Sequence, residues 1–578
     1  MVLTKQADGV RIRASVLLPI ILAAAVYLIS SAGRGVTDYD EAYYVQPALH
    51  MVESGDWVTP YANGVRFLEK PPLLYWVTAA SFKIFGIHEF ALRLPTALAV
   101  IALVWIVMLI LRSLGDGSAV MIGGLSVAFS AGTYLFTRET LHDIWLVLFL
   151  TLAVYAFIKW HLKLLHPLRP ALLFYGAMAG GFLCKSLVGV AFPLGIVVLF
   201  FLLSRECPRW NTLHVVPGVL FFLLLAVPWH WLAAVRNAGF LHYFFIEEQF
   251  LRFLGMRELP VLWSLPLWLF WVLVPLWFFP WTVFLPAAVS ANRKQEDRKR
   301  RILVRISVAW VVVILGFFSL STRLEHYAFP ALPALSIFVA AGIQRGTKSR
   351  AVLWGFRVLV VTGMLALLFG IVAGIWIAAG PGFDYGPSGA SDRIAETDFS
   401  IMIEMPREIV ESLYKPAAVT IVAMSVGFGI ALWFERRRRR LDAFIAIAMV
   451  MVVVCGMIHW SMYLCEDLIS SKKFGIAIGR EARPGDRVVV IGDYETANSL
   501  NFYEPLNVQV VEGRAYALIP GMDFPDSPKI LLTLDEFQSA WQSEERVFVL
   551  APESWIAFLN LEGRELAQVL DRVVLCNH

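Results

Sequence analysis

Runs of roughly 17–25 mostly apolar residues recur along most of the chain, the length a helix needs to cross a bilayer. No other feature limits the fold so strongly. Inside a bilayer each backbone N–H and C=O must be bonded within its own segment, so each run reads as a helix. The chain has 578 residues, of which 58% are hydrophobic and only 16% charged. A soluble protein of this size cannot hide that much apolar surface. Its 20 Trp suit the membrane interface, where indole rings settle. The net charge of +4 does not point to nucleic acid, and membrane lipids are the expected surroundings.

The positions of the basic residues set the topology. Lys5, Arg11 and Arg13 precede the first run, residues 14–33, and place the N-terminus in the cytoplasm. That run lacks a small-residue cleavage site and reads as a retained anchor. Residues 34–90 are aromatic, charged and turn-rich, and form the first external loop. Within them, residues 71–85 are apolar but short and carry Lys83, so an interfacial helix is expected there. Counting that piece as a span would turn every later basic cluster outward. Further spans are expected at 91–112, 118–136, 144–160, 171–184, 188–203, 215–235, 264–289, 306–321, 328–344, 357–379, 416–434 and 441–464. That makes about thirteen, with Arg112, Arg205, Arg209, Arg345, Lys348, Arg350 and the clusters at 159–170, 292–301 and 436–440 all on one side.

The expected fold is mainly α: a polytopic membrane domain over 1–464 and a small external α/β domain over 465–578. In the latter, β-rich runs at 487–491, 508–511, 529–533, 547–550 and 572–575 alternate with helix-like stretches at 534–541 and 554–561. The polar segment GDYETANS, 492–499, matches no defensible motif. The loop 380–415 is external and irregular at its Gly/Pro/Asp-rich start. Cys184 and Cys455 lie in apolar runs and Cys207 in a polar loop. Cys465 and Cys576 flank the last domain and would be able to pair if it faces an oxidising compartment.

Charged groups gather on the external side. Asp38, Asp40 and Glu41 follow the first span directly. Three crowded carboxylates repel one another and favour a cationic partner, although acids at a helix start also serve the helix dipole. A helix is expected from Ala42 to Val52. GVRFLEKPPLLYW adds Arg66, Glu69 and Lys70 before a stiffening Pro71-Pro72. TRETLHD ends in Asp143, and Lys185 sits at a hairpin between two apolar helices, where an ammonium needs a phosphate, carboxylate or water. LHYFFIEEQFLRFLGMRE contributes His242, Glu247, Glu248, Arg252 and Arg257 on an amphipathic interfacial helix. A short turn, STRLEHYAFPALPAL, contributes Arg323, Glu325, His326 and Tyr327.

Acids and bases at a lipid-facing boundary suit a lipid-linked phosphate substrate. Lys and Arg stabilise a phosphate leaving group as its bond breaks, and a carboxylate stabilises positive charge at an anomeric carbon or takes a proton from an acceptor. A flippase or transporter is the alternative of another class. Against it stand the absence of an internal repeat and the placement of the charges at one face rather than at the midplane.

DYDEAYY, GDWVTP, FLEKPPLLYW, TRETLHD and TRLEHYAFPALP resemble the GT-C class of membrane glycosyltransferases over the first 350 or so residues. Within that class the chain resembles the bacterial transferases of 4-amino-4-deoxy-L-arabinose to lipid A, relatives of the protein O-mannosyltransferases. The resemblance implies an undecaprenyl-phosphate-linked aminosugar donor, a lipid A phosphate acceptor, and a monomer in the bacterial inner membrane with its site on the periplasmic face. It further implies resistance to polymyxin and other cationic peptides, because an added aminosugar masks a negative group. Position by position, it makes Asp40 and Asp143 catalytic acids, with Glu41 beside them. Lys70 lies near the donor phosphate, and Arg66, Lys185, Arg252, Arg323 and Tyr327 are further binding residues. Some members use a divalent metal at the first-loop acids, where Glu69 and His242 would help hold it. A protein hydroxyl acceptor, as in the mannosyltransferases, is the alternative within the class.

Overall fold

The computed structural model describes residues 17–206, 212–257, 264–293, 295–343, 349–379, 406–504 and 506–578. Lys5, Arg11, Arg13, Cys207, Arg209, Arg345, Lys348 and the start of the 380–415 loop lie outside them. Each expected span falls on a helix. Among the described residues, seven helices are long and apolar enough to cross a membrane, and a bent pair brings the number to eight. Others, such as Leu17–Ile29, Gly117–Ala128 and Val188–Ser204, are apolar but shorter. Helices Arg350–Ala379 and Arg407–Arg436 leave Met364, Phe369 and Val426 uncovered, as a lipid-facing surface does. The bundle interior closes on Tyr27, Phe129, Trp281 and Trp310.

Three spans differ from the straight rods expected. Residues 118–136 fold as two helices, Gly117–Ala128 and Ala131–Leu135. Residues 264–289 fold as Leu267–Trp277 and Trp281–Arg293, bent by 88°. The bend falls beside Pro280, which has no N–H to continue a helix. The span at 328–344 begins as a tight 3₁₀ segment, Glu325–Ala331, and becomes α-helical only over Leu332–Gly342.

The first loop is a folded unit. Its helix Asp40–Ser54 is followed by a hairpin, β1 (Tyr61–Ala62) and β2 (Val65–Arg66), and then by helix Leu73–Phe85. The hairpin turns on Asn63-Gly64 with φ of 51° and 73°, the left-handed pair that a two-residue hairpin requires. Helix Leu73–Phe85 occupies the place where an interfacial helix was expected.

The C-terminal fold is a six-stranded mixed sheet in the order β5-β4-β3-β6-β8-β7. Its strands are β3 (Arg487–Ile491), β4 (Val508–Val511), β5 (Leu531–Leu532), β6 (Val547–Pro552), β7 (Arg564–Val569) and β8 (Arg572–Cys576). β5, β4, β3 and β6 run parallel, and β8 and β7 close the edge antiparallel. Alternate residues serve two faces. Val489, Ile491 and Val549 meet Phe537 and Trp541 of helix Leu534–Trp541. Val488, Val490, Val508 and Phe548 join one core with Val36, Tyr43, Val45, Leu74 and Tyr75 of the first loop. The C-terminal domain is separate in chain order but shares its core with that loop. Asn63 fixes the register between them, donating to the Val508 carbonyl and accepting from its N–H, both at 2.7 Å.

Cys465 and Cys576 are both free thiols, so the pairing considered from sequence is not made. Cys576 is buried in β8 and donates to the His578 carbonyl instead.

Candidate active site

Asp38, Asp40 and Glu41 lie within four residues of one another, yet each enters a different environment. Successive residues on a helix point about 100° apart, so neighbours need not share a face. Glu41 is fully buried and turns away from the cavity described below. Arg93 donates to both its oxygens, at 2.9 and 2.6 Å, and the N–H groups of Thr37 and Thr140 add further bonds. Burial pushes this carboxyl up, but Arg93 and then Arg34 overcome that and hold it at about 2. Glu41 therefore braces the first loop against helix Glu89–Arg112 and the 137–142 segment, and it does not sit beside Asp40 as a second catalytic acid.

Asp38 faces the C-terminal domain. Its oxygens accept from the Ser499 N–H at 2.8 Å and the Ser471 hydroxyl at 2.9 Å. Burial raises its carboxyl to about 6, against the pull of Arg572 and these bonds. Glu139 is pushed to about 8, by burial and then by repulsion from Glu41. It is mostly protonated at pH 7.

Asp40 opens the helix Asp40–Ser54 and lines a cavity of about 330 Å³. Tyr39, just before it, holds φ 69° and ψ −120°, a strained conformation for a residue with a side chain. Asn498 holds it there: its carbonyl accepts from the Tyr39 N–H and its amide donates to the Tyr39 carbonyl, both at 2.9 Å. The 492–499 segment, which showed no motif, thus sets the backbone that presents Asp40.

The rest of the cavity wall comes from five stretches of the membrane domain and from the C-terminal domain. Lys70 pairs with Glu69, and Arg252 reaches Glu69 at 3.4 Å and Glu248 at 3.0 Å. Burial pushes the Glu69 carboxyl up, and Lys70 and Arg252 reverse this, holding it at about 2. Lys185, at the tip of the Leu168–Lys185 and Val188–Ser204 hairpin, pairs with Asp143 at 2.6 Å. The two helices pass so closely that a Cβ on Gly189 would lie 2.2 Å from the carbonyl carbon of Gly181. His326 approaches Asp143 at 3.7 Å, and Lys185 lies 5.1 Å from the centre of the Tyr327 ring. Burial lowers His326 to about 4, so it is neutral near pH 7. Phe253, Phe317, Phe318 and Leu324 make the apolar side.

Asp40, Asp143, Lys70, Lys185, Arg252, Tyr327 and Glu69 thus line one cavity, while Arg66, Arg323 and His242 do not. Arg66 pairs with Asp526 at 2.8 Å, bonds Asn237 and stacks on Phe524, which ties β2 to the C-terminal domain. Arg323 donates to the carbonyls of Leu265 and Ser321 at 2.8 and 2.9 Å and closes the end of helix Arg298–Leu320. His242 is exposed and lies 3.4 Å from Glu247. Glu69 and His242 therefore do not form the metal-holding pair expected, since Glu69 is already faced by two cations. Among the described residues no three His, Cys, Asp or Glu converge as metal ligands.

Two cavity residues, His142 and Glu495, went unread in the sequence, and a third, Glu248, was named there without a role. Glu248 anchors Arg252 and Arg257 from a π-helical turn, His242–Leu251, and its neighbourhood in FFIEEQF carried the signal. His142 is 1% exposed and sits edge-on between Tyr44 and Tyr75 with both ring nitrogens unpartnered. Burial, then Lys70, lower it to about 3, so the ring is neutral. Glu495 arrives from the C-terminal domain, with Tyr516 and Ala517 beside it.

Comparison with known proteins places this arrangement among relatives. A family model described as dolichyl-phosphate-mannose-protein mannosyltransferase matches residues 69–231. An uncharacterized protein of Aquifex aeolicus is 29% identical over 344 residues, 58% of this chain and 74% of that protein. The undecaprenyl phosphate-alpha-4-amino-4-deoxy-L-arabinose arabinosyl transferase of Yersinia enterocolitica is 28% identical over 362 residues, 61% of this chain and 63% of that protein. Its Aeromonas salmonicida counterpart is 29% identical over 59% of this chain and 64% of its own length. The match thus spans less than two thirds of these two transferases. The crystal structure of ArnT from Cupriavidus metallidurans bound to undecaprenyl phosphate superposes with a TM-score of 0.82 at 24% identity, covering 97% of this chain and 98% of that one. The two proteins share one fold from end to end.

Proposed function

We propose that this chain is a membrane glycosyltransferase of the GT-C class that transfers 4-amino-4-deoxy-L-arabinose from undecaprenyl phosphate to a phosphate of lipid A. The reaction takes place at the periplasmic face of the bacterial inner membrane, and the C-terminal domain lies on that side. The observation that carries the proposal is the cavity itself, where Lys70, Lys185 and Arg252 converge with Asp40 and Asp143 beside an apolar wall. An ammonium has three N–H donors and a guanidinium five, so their ion pairs leave donors for a phosphate. The apolar wall suits the start of a polyprenyl chain.

In the reaction, an oxygen of the acceptor phosphate attacks the anomeric carbon. The bond from that carbon to the donor phosphate oxygen breaks, and undecaprenyl phosphate leaves with the electron pair. Lys70 and Arg252 meet the charge that appears on the leaving phosphate. The acceptor is already an anion and needs no general base. Asp40 then stabilises positive charge at the anomeric carbon and orients the sugar. Lys185 and Asp143 act as a pair, the ammonium toward phosphate and the carboxylate holding it in place. Masking a lipid A phosphate with an aminosugar lowers the attraction of the outer surface for polymyxin and cationic peptides.

The mannosyltransferase family match favours one other acceptor, a protein hydroxyl. That acceptor must lose a proton, so Asp40→Asn would abolish transfer to it, while transfer to a phosphate retains measurable rate. The purified chain in detergent, given synthetic donor and lipid A, is expected to release undecaprenyl phosphate in step with glycosylated lipid A. Donor consumption with a peptide acceptor and none with lipid A would overturn the proposal.

A further inference from the structure

The acids around the cavity are not equivalent. Glu69, Glu248 and Asp143 each face a lysine or arginine within 4 Å. Glu495 faces none. Its Oε1 accepts from the Tyr43 hydroxyl at 2.7 Å and the Tyr516 N–H at 2.8 Å. Its Oε2 is buried and has no hydrogen-bond partner. The nearby guanidinium of Arg514 is turned to the Tyr516 hydroxyl, to which it donates at 3.0 Å. The residue is 8% exposed, and it lines the cavity together with Asp40 and Tyr39.

A buried carboxylate oxygen left without a donor is costly, and such groups are rare unless a ligand completes them. The two bonds to Oε1 lock the side chain, so the open oxygen is fixed before any ligand arrives. The ligand group that satisfies it must be a hydrogen-bond donor, and a cationic donor gains most in a site with little water. The same cavity also holds the lysines and arginine suited to phosphate. The site is therefore polarised, with anion recognition at Lys70, Lys185 and Arg252 and a cation position at Glu495.

We propose that Glu495, from the C-terminal domain, is the specificity residue that receives the ammonium group of the transferred sugar. This rests on the aminosugar donor proposed above and extends it: the membrane domain binds the phosphate, and the C-terminal domain reads the sugar. It also accounts for the shared core between the first loop and the sheet, because that core fixes the distance between the two halves of the site.

The test measures kcat/KM of the full-length protein with two donors, undecaprenyl phosphate-4-amino-4-deoxy-L-arabinose and its 4-hydroxy counterpart. Wild type is expected to prefer the amino donor. Glu495→Gln keeps an oxygen for Tyr43 and Tyr516 but loses the charge. It is expected to lower the amino-to-hydroxy ratio by ~10–100-fold, the effect of one charge-assisted hydrogen bond. Tyr43→Phe removes one of the two bonds to Oε1 and keeps the charge, so it is expected to lower the ratio by much less than Glu495→Gln, and a loss as large as that of Glu495→Gln would overturn the assignment of the charge. An equal loss on both donors in Glu495→Gln, or a wild type indifferent to the amine, overturns the assignment while leaving the transferase reading intact. A wild type that uses neither donor overturns both.

Discussion

Replacing Asn498 by Ala removes two side-chain bonds to the Tyr39 backbone, each 2.9 Å long. Bonds of this kind contribute about 0.5–1.5 kcal/mol each, so about 1–3 kcal/mol is lost. A non-glycine residue in a sparsely populated conformation such as φ 69°, ψ −120° carries a cost of about 1–3 kcal/mol. The two quantities are comparable, so Asn498 is what makes the strained conformation tenable. The Tyr39 N–H keeps a bond to the Glu495 carbonyl at 3.2 Å and the Tyr39 carbonyl one from the Tyr43 N–H at 3.1 Å, and neither replaces the paired grip of the Asn498 amide. Tyr39 relaxes in the variant, and Asp40 moves with it. A displacement near 1 Å at a reacting group costs on the order of a hundredfold in rate. The expected result is a loss of ~10–100-fold in kcat per folded molecule, with a fall of only a few degrees in Tm. Asn498→Asp keeps the acceptor for the Tyr39 N–H and loses the donor, so it falls between. Turnover and unfolding are measured on the same detergent preparations. Wild-type turnover in Asn498→Ala, or a loss that tracks the fraction unfolded, would refute the reasoning.

Two further perturbations test other parts of the structure. The Glu41 carboxyl, held at about 2 against 4.5 in an unfolded chain, stabilises the fold by on the order of 3 kcal/mol above pH 4.5. This contribution fades as pH falls from 4.5 toward 2. Thermal unfolding of the wild type is therefore expected to weaken across that window. Glu41→Gln should start less stable at pH 7, with Arg93 left buried and uncompensated, and should show a smaller drop. Equal pH dependence in the two proteins would count against the brace. Lys70→Ala removes a cation that would meet the donor phosphate, and steady-state kinetics are expected to show kcat/KM reduced by at least ~10-fold, the scale of one charge-assisted contact. An unchanged kcat/KM would move the phosphate elsewhere in the cavity.

Much of the membrane domain is legible in the chain because bilayer physics leaves few options: a long apolar run becomes a helix. Leu73–Phe85 could be read as a short separate helix from its length and Lys83. In the C-terminal domain the strands read as valine-rich runs because both faces of the sheet are buried. β7 was missed because RELAQV lies at an edge, is largely uncovered and shows no apolar run. The site was harder to read. Sequence adjacency groups Asp38, Asp40 and Glu41, but helical rotation and the incoming C-terminal domain send them to three destinations. Arg66 and Arg323 have the right charge on the right side, yet backbone carbonyls and Asp526 claim them. Glu495, Asn498 and Tyr516 lie more than 400 residues from Asp40, and no local pattern announces a contact made only by tertiary packing.

The central claim is that sugar passes from a polyprenyl phosphate to lipid A in a cavity that needs Asp40. Its most direct test is mass spectrometry of lipid A from a bacterium that lacks its own aminoarabinose transferase, still makes the donor, and expresses either this chain or its Asp40→Ala variant. The account predicts a mass increase of one aminopentose with the wild-type chain and none with the variant at equal protein levels. Unmodified lipid A in both strains, with the wild-type protein present and folded, would contradict it.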